Sequence, residues 1–329
     1  MNTPEASFLT WQQQFRTNKD CLQYLKEMKW PNGFMCPHCG HDNGIALHCR
    51  ELTECSHCHK QTSVMSGTLF HGSHLPLLKW FWALYFIGSD KGSISALRLS
   101  KLIEVNWKTA RLMLTKVRAA VGHRDSLYRL SGTIELDDAF VGGKHKGTRG
   151  RGAQGKTPVI VACENKHEKA GFIAMKAVKN VNFKTVKEFV SHHLLANQHV
   201  RTDAYPALNI IDKTQQHEPR VTPSEKVNEW LPWAHIAIGN LKTFLLGTFH
   251  GVTGNYLQEY LNEFCYRYNR RFVEKQIPNR LLNMAIIHAP LKLTCVKWRS
   301  IYYFKGSSLR KYTIGSDFKA VTLLIKITT

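Results

Sequence analysis

The chain has 329 residues, 43% hydrophobic and 21% charged, which is room for two or three domains and ordinary for a folded soluble protein. Forty-five Lys and Arg stand against 24 Asp and Glu, a formal net charge of +21 at pH 7. A surplus of that size repels itself unless a polyanion meets it, which puts nucleic acid ahead of an anionic membrane or a ribosomal partner.

The opening stretch, MNTPEASFLTWQQQF, has neither a basic n-region nor an apolar core, so no secretory signal is expected. Nine cysteines without an export signal point to reduced thiols and metal rather than disulfides. Cys36-Pro-His-Cys39, fifteen residues, then Cys55-Ser-His-Cys58 is the spacing of one four-thiolate zinc site, with each pair on a tight turn. His38, His57, His59 and Cys49 lie close enough to substitute, and a redox C-x-x-C is the rival reading. A second pair at this distance argues against it. Zinc would supply the folding energy that so short a ribbon cannot draw from a core.

From Leu75 to about Arg118 the pattern turns helical; its most apolar part, interrupted by Lys79, is too short to span a membrane. Gly92-Ser93 breaks it, and a second helix opens at Asn106-Trp-Lys-Thr-Ala-Arg111. Helix, short turn and helix read either as a helix-turn-helix, with Lys108 and Arg111 facing DNA, or as a plain helical hairpin.

In so basic a chain the carboxylates on apolar strands are informative. Thr133 to Val141 alternates, with Ile134 and Leu136 on one face and Glu135 and Asp137 on the other. Two acids on one strand face repel each other, and a divalent cation would remove that repulsion. A second short β run ends on Asp203, which taken alone reads as a turn residue. Strands from Thr157 and Gly171 and a helix around Phe183 to Leu195 lie between, the order of a ribonuclease-H-like α/β unit.

Residues 150–157, GRGAQGKT, fit the phosphate-loop pattern G-x-x-x-x-G-K-[ST]. Such a loop needs a strand before it and a helix after it. Here a cationic glycine-rich run precedes, and Pro-Val-Ile-Val-Ala, a β sequence, follows. A loop in which Lys144, Lys146, Arg149, Arg151 and Lys156 meet DNA phosphates, or a solvated basic hairpin, is expected instead.

The ribbon, SGTLFHGSHLPLLKWFWALY, IELDDAFVGGKHKGTRGRGAQGKTPVIVA, VRTDAYPAL, GNLKTFLLGTFHGV and YLNEFCYRYNRR come in one order. Together they resemble insertion-sequence transposases with an N-terminal zinc ribbon and a DDE-type catalytic domain, the ISXO-type group, over about residues 10 to 285. The resemblance implies cleavage of transposon ends and joining of the freed 3′-hydroxyls to target DNA, with Mg²⁺ or Mn²⁺. It makes Asp137 and Asp203 the first two catalytic aspartates and puts Asp138 where the family often has Glu.

The family's third position is Glu, with Lys or Arg seven residues later on the same helical face. Counting back seven from Lys242, behind a helix opened by Pro232, gives His235. His235 is therefore expected as third ligand, ahead of Asn240, which lies off that face, and Lys242 as a contact to transposon-end DNA. Imidazole would tilt the site toward Mn²⁺; alternatively His235 is a packed histidine and the domain is inert. Two ions roughly 3.5–4 Å apart would serve the reaction. Residues 255 to 271 form one amphipathic helix, offering Arg267, Arg270 and Arg271 to DNA or to acidic side chains. Beyond Pro290 nothing matches the family.

The expected fold is multidomain α/β. It comprises a zinc ribbon after an N-terminal helix (1–70), a helical, helix-turn-helix-like region (71–128), a ribonuclease-H-like domain (129–289) and a C-terminal extension (290–329). The expected function is that of a DNA transposase: it binds terminal inverted repeats, then cleaves and transfers strands. It would work as a homodimer or larger synaptic complex in a prokaryotic cytoplasm, at the nucleoid, with no nucleotide cofactor and no membrane. The alternative is a DNA-binding regulator with an inactive transposase-like domain.

Overall fold

The computed structural model describes residues 3–47, 50–142, 155–221, 223 and 227–290. The chain opens with α1 (Phe8–Gln14) and α2 (Asn18–Lys29). Each begins on a reciprocal cap, Ser7 with Thr10 and Thr17 with Asp20, so orphan N–H groups are satisfied locally. A small antiparallel sheet follows, β1 (Gly44–Leu47), β2 (Leu52–Cys55) and β3 (Gln61–Ser63), in that order across the sheet.

Three helices come next: α3 (Leu77–Ser89), α4 (Ala96–Leu102) and α5 (Trp107–Ser126). The turn between α4 and α5 carries Glu104 in the left-handed region (φ 51°), and the Asn106 side chain accepts from Lys108 N at 2.9 Å to start α5. Trp11 and Phe15 of α1 and its C-terminal cap, Leu25, Phe70, Phe81 and Leu84 share one core with α5 and with Leu281 and Leu282 near the end of the described chain. The boundaries expected at 70/71 and 128/129 therefore do not separate independent cores. Segments from both sides bury their apolar faces together.

The second layer is a five-stranded sheet. Its strands are β4 (Thr133–Val141), β5 (Thr157–Asn165), β6 (Ala170–Ala177), β7 (His199–Asp203) and β8 (Gln216–Arg220), ordered β6-β5-β4-β7-β8. The first three pair antiparallel, whereas β7 runs parallel to β4 and β8 parallel to β7. Period-two alternation sorts the faces. Ile134, Leu136, Ile160 and Ala162 meet α6 (Phe183–His193) and the 3-10 helix Pro206–Lys213. Ala139, Val141, Val159, Val161 and Cys163 meet α8 (Pro232–Phe249) and α9 (Gly254–Tyr268). The short α7 (Val227–Trp230) leads into α8, and a 3-10 turn (Arg271–Gln276) leads into α10 (Ile277–Ile287), which packs on α3 and α5.

The two layers are joined along α5 and α9. Arg111 meets Glu259 at 2.9 Å, Arg118 meets Glu263 at 2.8 Å, and Asp125 meets Arg270 at 2.8 Å. Residue numbers rise together on the two helices, so they run in the same direction. A Cβ at Gly122 would overlap Asn262, which explains the glycine at this close approach. Burial opposes ionisation of Glu263, but Arg118 and Arg267 outweigh it and hold its carboxyl below the ordinary range. Arg118 also lies over the Tyr260 ring, 4.0 Å from its centroid. Among the described residues no helix is long and apolar enough to cross a membrane.

One pH effect follows from α6. Burial, with the nearby charges of Lys176 and His192, pushes His193 down to about 4, and its ring packs 4.7 Å from that of Phe189. The unfolded chain takes up this proton near its ordinary 6.5, so between those values the unfolded state holds more protons and stability falls as pH falls. His193→Leu should lose less stability than the native chain between pH 7 and 5 in urea unfolding. Parallel losses would refute this account.

Candidate active site

The ribbon is built on two copies of one turn. Gly40 N donates to Cys36 O at 2.9 Å and His59 N to Cys55 O at 3.0 Å, with Gly40 and His59 both left-handed (φ 73° and 53°). Each turn aims its pair of sulfurs at the other: Cys36 and Cys58 Sγ are 3.6 Å apart, Cys39 and Cys55 Sγ 3.5 Å. Tetrahedral zinc with bonds of about 2.3 Å places sulfurs about 3.8 Å apart, so the four thiols fit a structural zinc. His38, His57 and His59 are exposed outside this group, and His59 faces Glu54 at 3.7 Å.

The second centre forms where the central strand meets its parallel neighbour. Leu136 lies opposite Thr202, so the residues that follow are neighbours: Asp137, in the middle of β4, and Asp203, at the end of β7. Carboxylate oxygens of Asp137, Asp138 and Asp203 lie within 4.8 Å of one another, half-buried. The β7 end is pinned from above and beside: Trp230 Nε1 donates to Thr202 O at 2.9 Å, and Thr202 Oγ1 lies 2.7 Å from His217 Nε2. His235, on the first turn of α8, brings Nε2 to 3.3 Å from Asp137 Oδ2. That hydrogen bond, opposed by burial, raises the imidazole above its ordinary value. The three carboxylates make a donor set suited to a hard divalent cation, and His235 stands beside Asp137 outside that group.

Glu135 behaves differently from the expectation that its charge calls for metal. It is fully buried, Oε1 accepting from Asn165 Nδ2 at 2.7 Å and Oε2 from Ala234 N at 2.8 Å. Burial pushes its carboxyl up, and those donors pull it back. Ala234 is in the first turn of α8, a helix with no side-chain cap of its own. Glu135 therefore caps that helix from the sheet and seats His235 beside Asp137. Glu135→Ala should strand the buried Ala234 N–H and lower stability by about 1–3 kcal/mol in urea unfolding, with Glu135→Gln losing less.

The remaining expected contacts divide. Lys108, at the start of α5, and Lys242, two turns beyond His235, are exposed. Asn240 is turned away and lines a 580 Å³ cleft with Phe244, Phe264 and Tyr268, so it is no rival to His235 at the carboxylates. Arg111, expected to face DNA, and Arg267, Arg270 and Arg271, expected to meet DNA or acidic side chains, all have partners inside the fold. Arg111 binds Glu259 and Thr115, Arg267 binds Glu263 and the Ile87 carbonyl, and Arg270 grips both oxygens of Asp125. Arg271 donates to the carbonyls of Tyr268, Gly171 and Ala170. These groups join elements of the fold. Lys156 is half-buried just before β5, while Lys144, Lys146, Arg149 and Arg151 lie outside the described residues, as does the 291–329 extension. A strand rather than a helix leaves Lys156-Thr157, so the phosphate-loop pattern is a coincidence.

Residues 129–269 match the family model described as the ISXO2-like transposase domain, and residues 16–61 the one described as the transposase zinc-ribbon domain. The chain is 27% identical over 218 residues to an uncharacterized protein in transposable element ISH50 of Halobacterium salinarum, covering 60% of this chain and 71% of that protein. A pre-cleavage Mos1 transpososome structure aligns at 10% identity over 59% of this chain and 75% of that one, with a TM-score of 0.24, at which nothing follows for the fold.

Proposed function

This chain belongs with the insertion-sequence transposases that carry a zinc ribbon and an ISXO2-like DDE domain, and from that premise we propose that it cleaves and transfers DNA strands at the ends of its element. The reading rests on one observation: Asp137 and Asp203, 66 positions apart in sequence, present carboxylates within 4.8 Å together with Asp138. In a chain of net charge +21, three acids gathered on two adjacent strands repel each other unless cations neutralise them.

Asp137, Asp138 and Asp203 would hold Mg²⁺ or Mn²⁺, with His235 as nitrogen donor on the face of Asp137. Bound there, divalent ions lower the pKa of an attacking water or 3′-hydroxyl and stabilise the leaving oxygen. The protein holds the acids on two adjacent hydrogen-bonded strands, β4 and β7, and fixes the first turn of α8 through Glu135. Lys242, exposed on the face of His235, would meet the phosphates of the transposon end.

The strand order, with three antiparallel strands and two parallel to the central one, supports the ribonuclease-H-like reading. The α4–α5 hairpin, with Lys108 exposed at its second helix, supports a helix-turn-helix that works with the ribbon on terminal inverted repeats. Two ends held at once call for a homodimer or larger assembly. The test is strand cleavage of duplexes bearing the sequences that flank this gene, with Mg²⁺ and Mn²⁺. Products nicked at the inverted repeats are expected, whereas specific binding without cleavage by either metal would favour the regulator.

A further inference from the structure

Arg220 ends β8 directly opposite Asp203, so its side chain leaves the sheet on the same face. The guanidinium lies over the Trp230 ring, 5.2 Å from its centroid. That ring is buried and is itself fixed by the 2.9 Å bond from Nε1 to Thr202 O. Arg201, two residues before Asp203, meets the same ring at 5.0 Å, but it is half-buried and faces Glu218 at 3.6 Å. Arg220 is exposed, and none of its side-chain N–H groups has a carboxylate or carbonyl partner among the described residues. The arginines of α5 and α9 that the sequence offered to DNA are instead satisfied inside the fold.

We infer that Arg220, held on the Trp230 platform, contacts a DNA phosphodiester beside the Asp137–Asp203 centre. The inference rests on the DNA-acting reading of that centre. A stacked guanidinium keeps its edge N–H groups in plane and free to form two parallel bonds to phosphate oxygens. Stacking also limits the rotamers that an exposed arginine would otherwise lose on binding. Charge favours the position as well. Three carboxylates would repel an approaching phosphate, and a fixed cation at their edge offsets this.

The test is fluorescence anisotropy with a labelled duplex of about 30 base pairs and mixed sequence, titrated over a range of KCl with Ca²⁺ in place of the catalytic metal. Loss of one phosphate contact lowers the slope of log K against log[salt] by about one. Arg220→Ala is expected to show that drop, with binding several-fold weaker near physiological salt. Arg220→Lys should restore the slope, because the charge remains. An Arg220→Ala protein with an unchanged slope, even if its melting temperature falls, would assign the residue a purely structural role and overturn the inference. Cleavage is measured in parallel on native and Arg220→Ala protein. If the native chain cuts DNA and the slope does not move, the phosphate contact fails and the transposase reading stands. If the slope drops but no metal supports cutting, the contact stands and the catalytic reading fails.

Discussion

Asp137→Asn is expected to reduce metal-dependent strand cleavage by about a thousandfold or more while leaving DNA affinity within about twofold. Asn keeps the shape of the side chain and the oxygen that accepts from Asp138 N at 2.8 Å, so the local strand geometry should survive. It removes one negative charge from three and the anionic partner of His235. Metal clamps supply several kcal/mol of transition-state stabilisation, and each 1.36 kcal/mol is a factor of ten in rate. Asp203→Asn should behave alike, since its carboxylate completes the same group. The measurement is single-turnover cleavage with Mg²⁺ and Mn²⁺ beside anisotropy binding. An Asp137→Asn protein that cuts at the native rate would show that the clustered acids of β4 and β7 do not carry the reaction.

The second large effect is expected at the zinc ribbon. Cys55→Ser should abolish the one zinc per chain and unfold residues 36–63, while the helices and the five-stranded sheet stay folded. The three ribbon strands are short, and most of their side chains are exposed or half-buried. Structural zinc in such modules is worth about 10–16 kcal/mol of apparent binding energy, far more than that small apolar surface can supply. The first core takes its residues from α1, α2, Val64 onward and the later helices, and omits the ribbon strands. Zinc content should therefore fall to background and new protease cuts should appear in the ribbon, with the helical circular dichroism largely retained. A variant that keeps its zinc, or one that loses the whole fold, would contradict this division.

Much of this architecture is legible in the chain because its causes are local. Alternation on β4 follows from the geometry of a strand, so Ile134 and Leu136 part from Glu135 and Asp137 whatever surrounds them. His235 is implied by the family resemblance, which places a ligand seven residues before Lys242, and the structure puts its imidazole 3.3 Å from Asp137. What the pattern could not reveal is that two acids on one face have different partners. Glu135 meets an amide 99 positions away, and nothing between residues 130 and 142 signals it. The basic residues show the same limit: Arg111 read as a cation facing DNA and Arg270 as open to DNA or an acidic side chain, and only the fold brings Glu259 and Asp125 to them across a helix seam. Trp230 and Arg220 carry no recognisable spacing and become informative only beside Asp203.

The sequence by itself pointed to the zinc ligands and the strand faces, because each rests on short spacings along the chain, and through the family resemblance it pointed to Asp137 and Asp203. Tertiary structure alone decided that Glu135 caps a helix instead of joining the carboxylate group. It also decided which arginines are consumed within the fold and where the helical layer and the sheet share an interface. Burial and ion pairing depend on partners brought together from a hundred or more positions away, and the chain does not state those distances.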